Sequence, residues 1–122
     1  MNYDGMEQAA RQASALLRAM SNERRLLILC HISRGERSVS ELSELVGVGQ
    51  SALSQHLAKL RHDGLVSTRR EAQTIYYSLN GRAARRVLDT LYDLYCAEVP
   101  QGKPREDVSI AGVAKSMRDP QG

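Results

Sequence analysis

Apolar positions recur at helical spacing through most of the first 64 residues, then change period. Met6, Ala9, Ala13, Leu16, Leu17 and Met20 trace one stripe and predict a helix over about 6–20. Ser21 can cap the next helix, with Glu23 at its positive end. That helix, about 22–33, carries "RLLILC", apolar nearly all round, and reads as the central core helix ended by Gly35. Ser38 followed by Glu41 is a capping-box pattern that opens a short helix over about 39–46. "VGVG" is a tight connector, and Gly49 starts a helix from about Gln50 to His62 that Gly64 stops. Two short helices joined by a glycine-containing turn form a helix-turn-helix.

Beyond Gly64 the period falls to two. In "TIYYSL", Ile75, Tyr77 and Leu79 face one way while Thr74, Tyr76 and Ser78 face the other. "LVSTR" is its partner strand, and the polar link "REAQ", without glycine, predicts a mobile tip rather than a tight two-residue turn. A last helix is expected over about 82–98, with Val87, Leu91, Leu94 and Tyr95 on one stripe. The fold class is therefore mostly α with a two-stranded β-hairpin wing. All three prolines, Pro100, Pro104 and Pro120, lie past this point. The expected organisation is one domain over residues 1–98 and a polar, flexible tail over 99–122, in which "VSIAGVAKSM" has weak helical character.

The helix "QSALSQHLAKL" raises the functional question. At about 100° per residue, Leu53, Leu57 and Leu60 cluster on one side, with Ser51, Gln55, Ala58 and His62 opposite. Ser54 and Lys59 flank the stripe, and His56 lies nearer to the leucines than to the outward pole. A merely solvated helix usually wears Lys and Glu; this outward face is short, neutral and rich in hydrogen-bonding groups. Such a face fits the major groove of DNA, where Gln reads base edges and small residues allow close approach. Free amides at the helix start can hold a phosphate, and Arg69 and Arg70 sit where a wing reaches the DNA backbone or minor groove.

Charge alone would not have pointed there. The net charge of the 122-residue chain is only +3, but Lys59, Arg61, Arg69 and Arg70 are opposed locally by Asp63 alone. No apolar run approaches the roughly 20 residues of a membrane span, and "MNYDGMEQAARQ" is not a secretory signal, so a cytoplasmic protein with no membrane partner is expected. Cys30 and Cys96 form no Cys-x-x-C pair, and no nucleophile–base spacing occurs, so neither an enzyme nor a cofactor is expected. By composition, each cysteine reads first as an inert, small, buried hydrophobe.

The segment "AMSNERRLLILC…SVSELSELVGVGQSALSQHLAKLRHDGLVSTRREAQTIYYSL" resembles the ArsR/SmtB family of winged-helix transcription regulators. The likeness runs from about Gln12 to Ala97. It implies a homodimer built on the first and last helices and a palindromic double-stranded DNA operator. It places DNA contacts on Gln50, Ser51, Ser54, Gln55 and His56, with the wing at Arg69 to Gln73. Ser38 and Ser40 stand where metal-sensing members carry thiolates. The last helix offers Asp89 and Asp93 without histidine, so no metal site is expected at either place.

Cys30 and Cys96 match a subfamily similar to the BigR, SqrR and HlyU regulators, in which one cysteine on each of these helices forms a dithiol sensor. The resemblance implies that persulfide, another reactive sulfur species or an oxidant is the inducer. It would bridge Cys30 and Cys96 through sulfur and lower operator affinity, most simply in a repressor. Two alternatives stay open: a metal- or haem-responsive repressor using Cys30, His31, Cys96 or the Asp89 and Asp93 pair, and an activator that displaces a silencer while its cysteines stay inert.

Overall fold

The computed structural model describes residues 3–96. The tail expected over 99–122 lies outside the described residues. The chain comprises two compact units, Met1–Leu88 and Asp89–Gly122.

Five helices and three short strands are present among the described residues. Helix α1 spans Tyr3–Met20, α2 Glu23–Ser33, α3 Val39–Val46, α4 Gln50–His62 and α5 Arg82–Tyr95. Strand β1 is Arg37–Ser38, β2 Val66–Glu71 and β3 Thr74–Leu79. They form one antiparallel sheet in the order β1-β3-β2. The order helix, turn, helix, hairpin is as the periodicity predicts, and it is that of a winged helix-turn-helix.

Helix α2 begins differently from expectation. Asn22, not Ser21, is its N-cap, and the Asn22 side chain accepts from the Arg25 N–H at 3.0 Å. Both residue types cap well, and the extended backbone at position 22 decides between them. Nor is α2 apolar all round. Ile28, Leu29 and Ile32 are buried, but Cys30 is exposed. The core draws only one face of "RLLILC" inward.

The periodicity does not predict strand β1. Its two residues pair with β3, Arg37 opposite Tyr77 and Ser38 opposite Tyr76. The hairpin tip also departs from expectation. Glu71 pairs with Thr74, so Ala72 and Gln73 make a tight two-residue turn rather than a mobile loop. Ala72 takes φ 56, a left-handed conformation of the kind primed hairpin turns require and glycine usually supplies.

One core joins these elements in the Met1–Leu88 unit. Leu42 and Val46 of α3, Leu53, Leu57 and Leu60 of α4, and Leu65 and Val66 at the start of the wing pack with α2. Ala19 and Met20 of α1 and Ala84 and Leu88 of α5 complete it. In the other unit, Tyr92, Leu94 and Tyr95 at the end of α5 are exposed, and the helix ends at Tyr95 with Cys96 in a turn.

Candidate nucleic-acid interface

Helix α4 is held from both ends. Upstream, α3 opens on a complete capping box: the Ser38 hydroxyl accepts from the Glu41 N–H at 3.2 Å, and the Glu41 carboxylate accepts from the Ser38 N–H at 2.8 Å. These hydrogen bonds, the Ser38 backbone N–H first, hold the Glu41 carboxyl below its usual pKa. Gly47 closes α3 in the left-handed conformation (φ 74), where a side chain would be strained. The Ser43 hydroxyl then donates to the Val48 carbonyl at 2.8 Å, fixing the turn. Arg24 of α2 also reaches the Val46 carbonyl, at 3.3 Å. Downstream, the Leu65 N–H donates to the Leu60 carbonyl at 2.9 Å. Asn80, just past β3, donates from its side chain to the Gly64 carbonyl at 3.0 Å and from its N–H to the Leu65 carbonyl at 2.8 Å. The wing thus leaves α4 along a fixed path.

The predicted polarity of α4 is observed. Leu53, Leu57 and Leu60 are fully buried, and Gln50, Ser51, Ser54, Gln55 and Lys59 are exposed together on the other side. His56 is half-buried, as its position near the leucine stripe implies. Burial lowers its pKa, and the nearby Arg25 and Arg24 lower it further. A neutral imidazole offers one donor and one acceptor. The first turn of α4 has no acidic residue, and its N-cap Gly49 supplies no side-chain hydrogen bond. The amides there remain open to an anion. Lys59 lies 3.5 Å from Asp63, an exposed pair that offsets part of its charge.

The two wing arginines are not equivalent. The Arg70 side chain makes no hydrogen bond or ion pair among the described residues. Arg69 is gripped. Its Nε and one terminal nitrogen donate to both carboxylate oxygens of Glu36, at 2.9 and 2.7 Å. Its other terminal nitrogen donates to Glu71 at 2.7 Å, and the guanidinium lies 4.8 Å from the centre of the Tyr76 ring. The hydrogen bond from Arg69 holds the Glu36 carboxyl below its usual range, and Arg69 is held still more firmly protonated than a free arginine. The sequence does not single out Glu36, Arg24 or Asn80. Each of these three meets its partner from at least 15 residues away along the chain, and no local spacing announces them.

Comparison with known proteins decides the family. Residues 22–68 match the model of "Bacterial regulatory protein, arsR family". The chain is 52% identical over 96 residues to the transcriptional activator HlyU of Vibrio cholerae, covering 79% of this chain and 89% of the relative. The chain belongs to the arsR family of bacterial regulatory proteins. It is a DNA-binding transcription regulator, not an enzyme.

The structure described as reduced HlyU from Vibrio cholerae superposes with a TM-score of 0.73, covering 75% of this chain and 97% of that one. A biofilm growth-associated repressor of Xylella fastidiosa is 39% identical over 83% of this chain and 89% of its own length. A homodimeric winged helix-turn-helix DNA-binding domain from Mycobacterium bovis, 29% identical, matches with a TM-score of 0.65 over 75% of this chain and 85% of that one. Within this arsR-family chain, α3 and α4 are the helix-turn-helix and β2–β3 the wing.

The sequence-predicted sensor residues lie apart from this surface in the chain. Cys30 is on α2 and Cys96 follows α5; both are thiols and both are exposed. His31, beside Cys30, is half-buried, and burial followed by the charges of Arg37 and Arg34 lowers its pKa.

Proposed function

We propose that this regulator binds a palindromic duplex as a homodimer and that a sulfur bridge between Cys30 and Cys96 lowers its affinity. The polarity of α4 carries the DNA part of the reading. Gln50, Ser51, Ser54 and Gln55 would meet base edges and the nearest phosphates. His56 and Lys59 would lie at the margin, and Arg70 would reach the backbone from the wing. Two features support a dimer. Met6 and Leu17 of α1, and Tyr92, Leu94 and Tyr95 of α5, expose more apolar surface than a solvated helix needs. The Mycobacterium bovis relative is homodimeric by its own description. Two-fold symmetry in the protein calls for two-fold symmetry in the site.

The exposure of both thiols supports the sensor. A low-molecular-weight persulfide transfers its outer sulfur to one cysteine thiolate, forming a protein persulfide and releasing a thiol. The second cysteine attacks the cysteine sulfur of that persulfide and expels hydrosulfide. Two thiols are oxidised, one sulfur is reduced to sulfide, and a disulfide remains. Each extra sulfur in a longer bridge consumes one further persulfide and releases one further thiol. Relatives include an activator and a repressor; repression relieved by bridging is the simplest course here.

The test pairs intact-mass measurement with duplex binding on the same samples after persulfide, disulfide or peroxide treatment. A bridged monomer mass together with loss of binding is expected, both abolished in Cys30→Ser and Cys96→Ser. Unchanged release from DNA by persulfide in the double variant would remove the sensor assignment.

A further inference from the structure

We propose that Arg69 is a positioning residue that ties the wing to the α2–β1 connection, leaving Arg70 as the wing's contact to phosphate. The inference rests on reading α4 and the wing as the DNA interface. It assigns opposite duties to two adjacent arginines that are indistinguishable in sequence.

Alternation along β2 separates them. Val66, Thr68 and Arg70 share one face, opposite Leu79, Tyr77 and Ile75 of β3. That face carries Val66 into the core, on the side where α4 packs. Ser67, Arg69 and Glu71 share the other face, opposite Ser78, Tyr76 and Thr74. Arg69 therefore points away from the recognition helix, and Arg70 extends on its side.

The partners of Arg69 complete the case. Three of its five N–H groups are already donated, two of them to Glu36 in the forked geometry that suits a carboxylate. The locus holds two carboxylates and one guanidinium, a net charge of −1. A phosphate approaching Arg69 would meet that negative charge and would have to displace a carboxylate. Glu36 lies 33 residues before Arg69 in the chain. The clamp thus fastens the hairpin to the residue just before β1, by side chains and in addition to the backbone pairing of β1 with β3. Tyr76, directly across from Arg69, supplies a ring surface beneath the guanidinium.

Salt dependence separates the two duties. Each phosphate contact contributes a slope of about 0.9 to the fall of log affinity with log salt. The probe is the duplex that the reduced protein selects from a randomised pool. Arg70→Gln is expected to flatten the slope by about 0.9 per bound protomer, with wing amide exchange unchanged. Arg69→Gln is expected to weaken binding several-fold at every salt concentration with the slope kept, and to speed amide exchange across residues 66–79. Glu36→Gln breaks the same clamp without touching the arginine. It is expected to loosen the same amides and leave the slope alone.

A slope flattened by Arg69→Gln as much as by Arg70→Gln overturns the assignment. So does a slope steepened by Glu36→Gln, which would mean that a freed Arg69 had found a phosphate. Gln55→Ala on the same duplex tests the interface itself. If that variant loses no affinity, the reading of α4 fails and takes this inference with it; if it does lose affinity, the arginine result stands alone.

Discussion

Helices α3 and α4 are neighbours in one motif, each amphipathic, and both feed the same core, with Leu42 and Val46 from α3 and Leu53, Leu57 and Leu60 from α4. Their N-termini are finished in opposite ways. Helix α3 satisfies its first turn from within: Ser38 and Glu41 exchange hydrogen bonds, and a carboxylate faces the helix's positive end. Helix α4 opens on Gly49, with no side-chain cap and no acidic residue in its first turn. Steric demand does not explain that glycine. Its backbone is extended at φ −67, and a Cβ there would meet nothing within 4 Å. Helix α3 closes its own first turn; α4 leaves the amides of its first turn without a side-chain cap. On the proposed function, stability is placed in one helix and binding capacity in the other.

The buried sides of the two helices should behave alike, which sets the baseline. Leu42→Ala in α3 and Leu57→Ala in α4 each remove a fully buried side chain. Each should cost about 2–5 kcal/mol of stability in urea unfolding. The exposed side of α4 should behave differently. Gln55→Ala is expected to leave stability within about 0.5 kcal/mol. In competition binding between the selected duplex and a scrambled one, it should lose about 1–3 kcal/mol of discrimination. A Gln55 variant that unfolds easily but discriminates normally would invert the picture.

Exchanging the two caps tests the contrast directly. Ser38→Ala should cost about 0.5–2 kcal/mol of stability and leave the salt slope of duplex binding unchanged. Gly49→Asp should be neutral or stabilising by a few tenths of a kcal/mol, about the difference between glycine and aspartate as caps. It should nevertheless weaken duplex binding, because a carboxylate would occupy the amides and repel the phosphate. If Gly49→Asp bound DNA as well as the parent chain, the open N-terminus of α4 would have no role in recognition.

Both of these helix starts are legible in the sequence, because a capping box and a glycine ahead of an apolar period are local patterns. The same holds for the leucine stripe of α4: 3.6-residue periodicity determines its polar face, and Gln50, Ser51, Ser54 and Gln55 emerge together as expected. Non-local features are not legible in this way. Two residues of β1 are too few to show a period. The tight hairpin turn is hidden because an alanine, Ala72, sits where glycine or asparagine would announce it. The greasiness of "RLLILC" makes Cys30 read as buried, but which face of a helix meets the core depends on its neighbours. Arg69 and Arg70 look interchangeable in the sequence, and only the fold brings Glu36 to one of them.

The smallest expected effect, acid sensitivity, falls on the closed cap alone. The Ser38 N–H and hydroxyl hold the Glu41 carboxyl below 4.5 in the folded chain. Unfolding releases it to that ordinary value, so the unfolded chain binds more protons in the window between the two. Stability from this group is therefore fully present above about 4.5 and is lost as pH falls through the folded value. Glu36, held down by Arg69, contributes with the same sign, so the cap is isolated by difference. Glu41→Gln keeps an acceptor for the Ser38 N–H but cannot ionise. Its stability should fall less steeply on acidification than that of the parent chain, in parallel urea unfolding series through the acid range. No carboxylate stands at the start of α4 to give a matching acid response. Introducing one with Gly49→Asp should add a second such acid-labile increment, while Glu41→Gln removes the first. An acid limb unmoved by either change would mean that neither helix start interacts with its carboxylate strongly enough to matter.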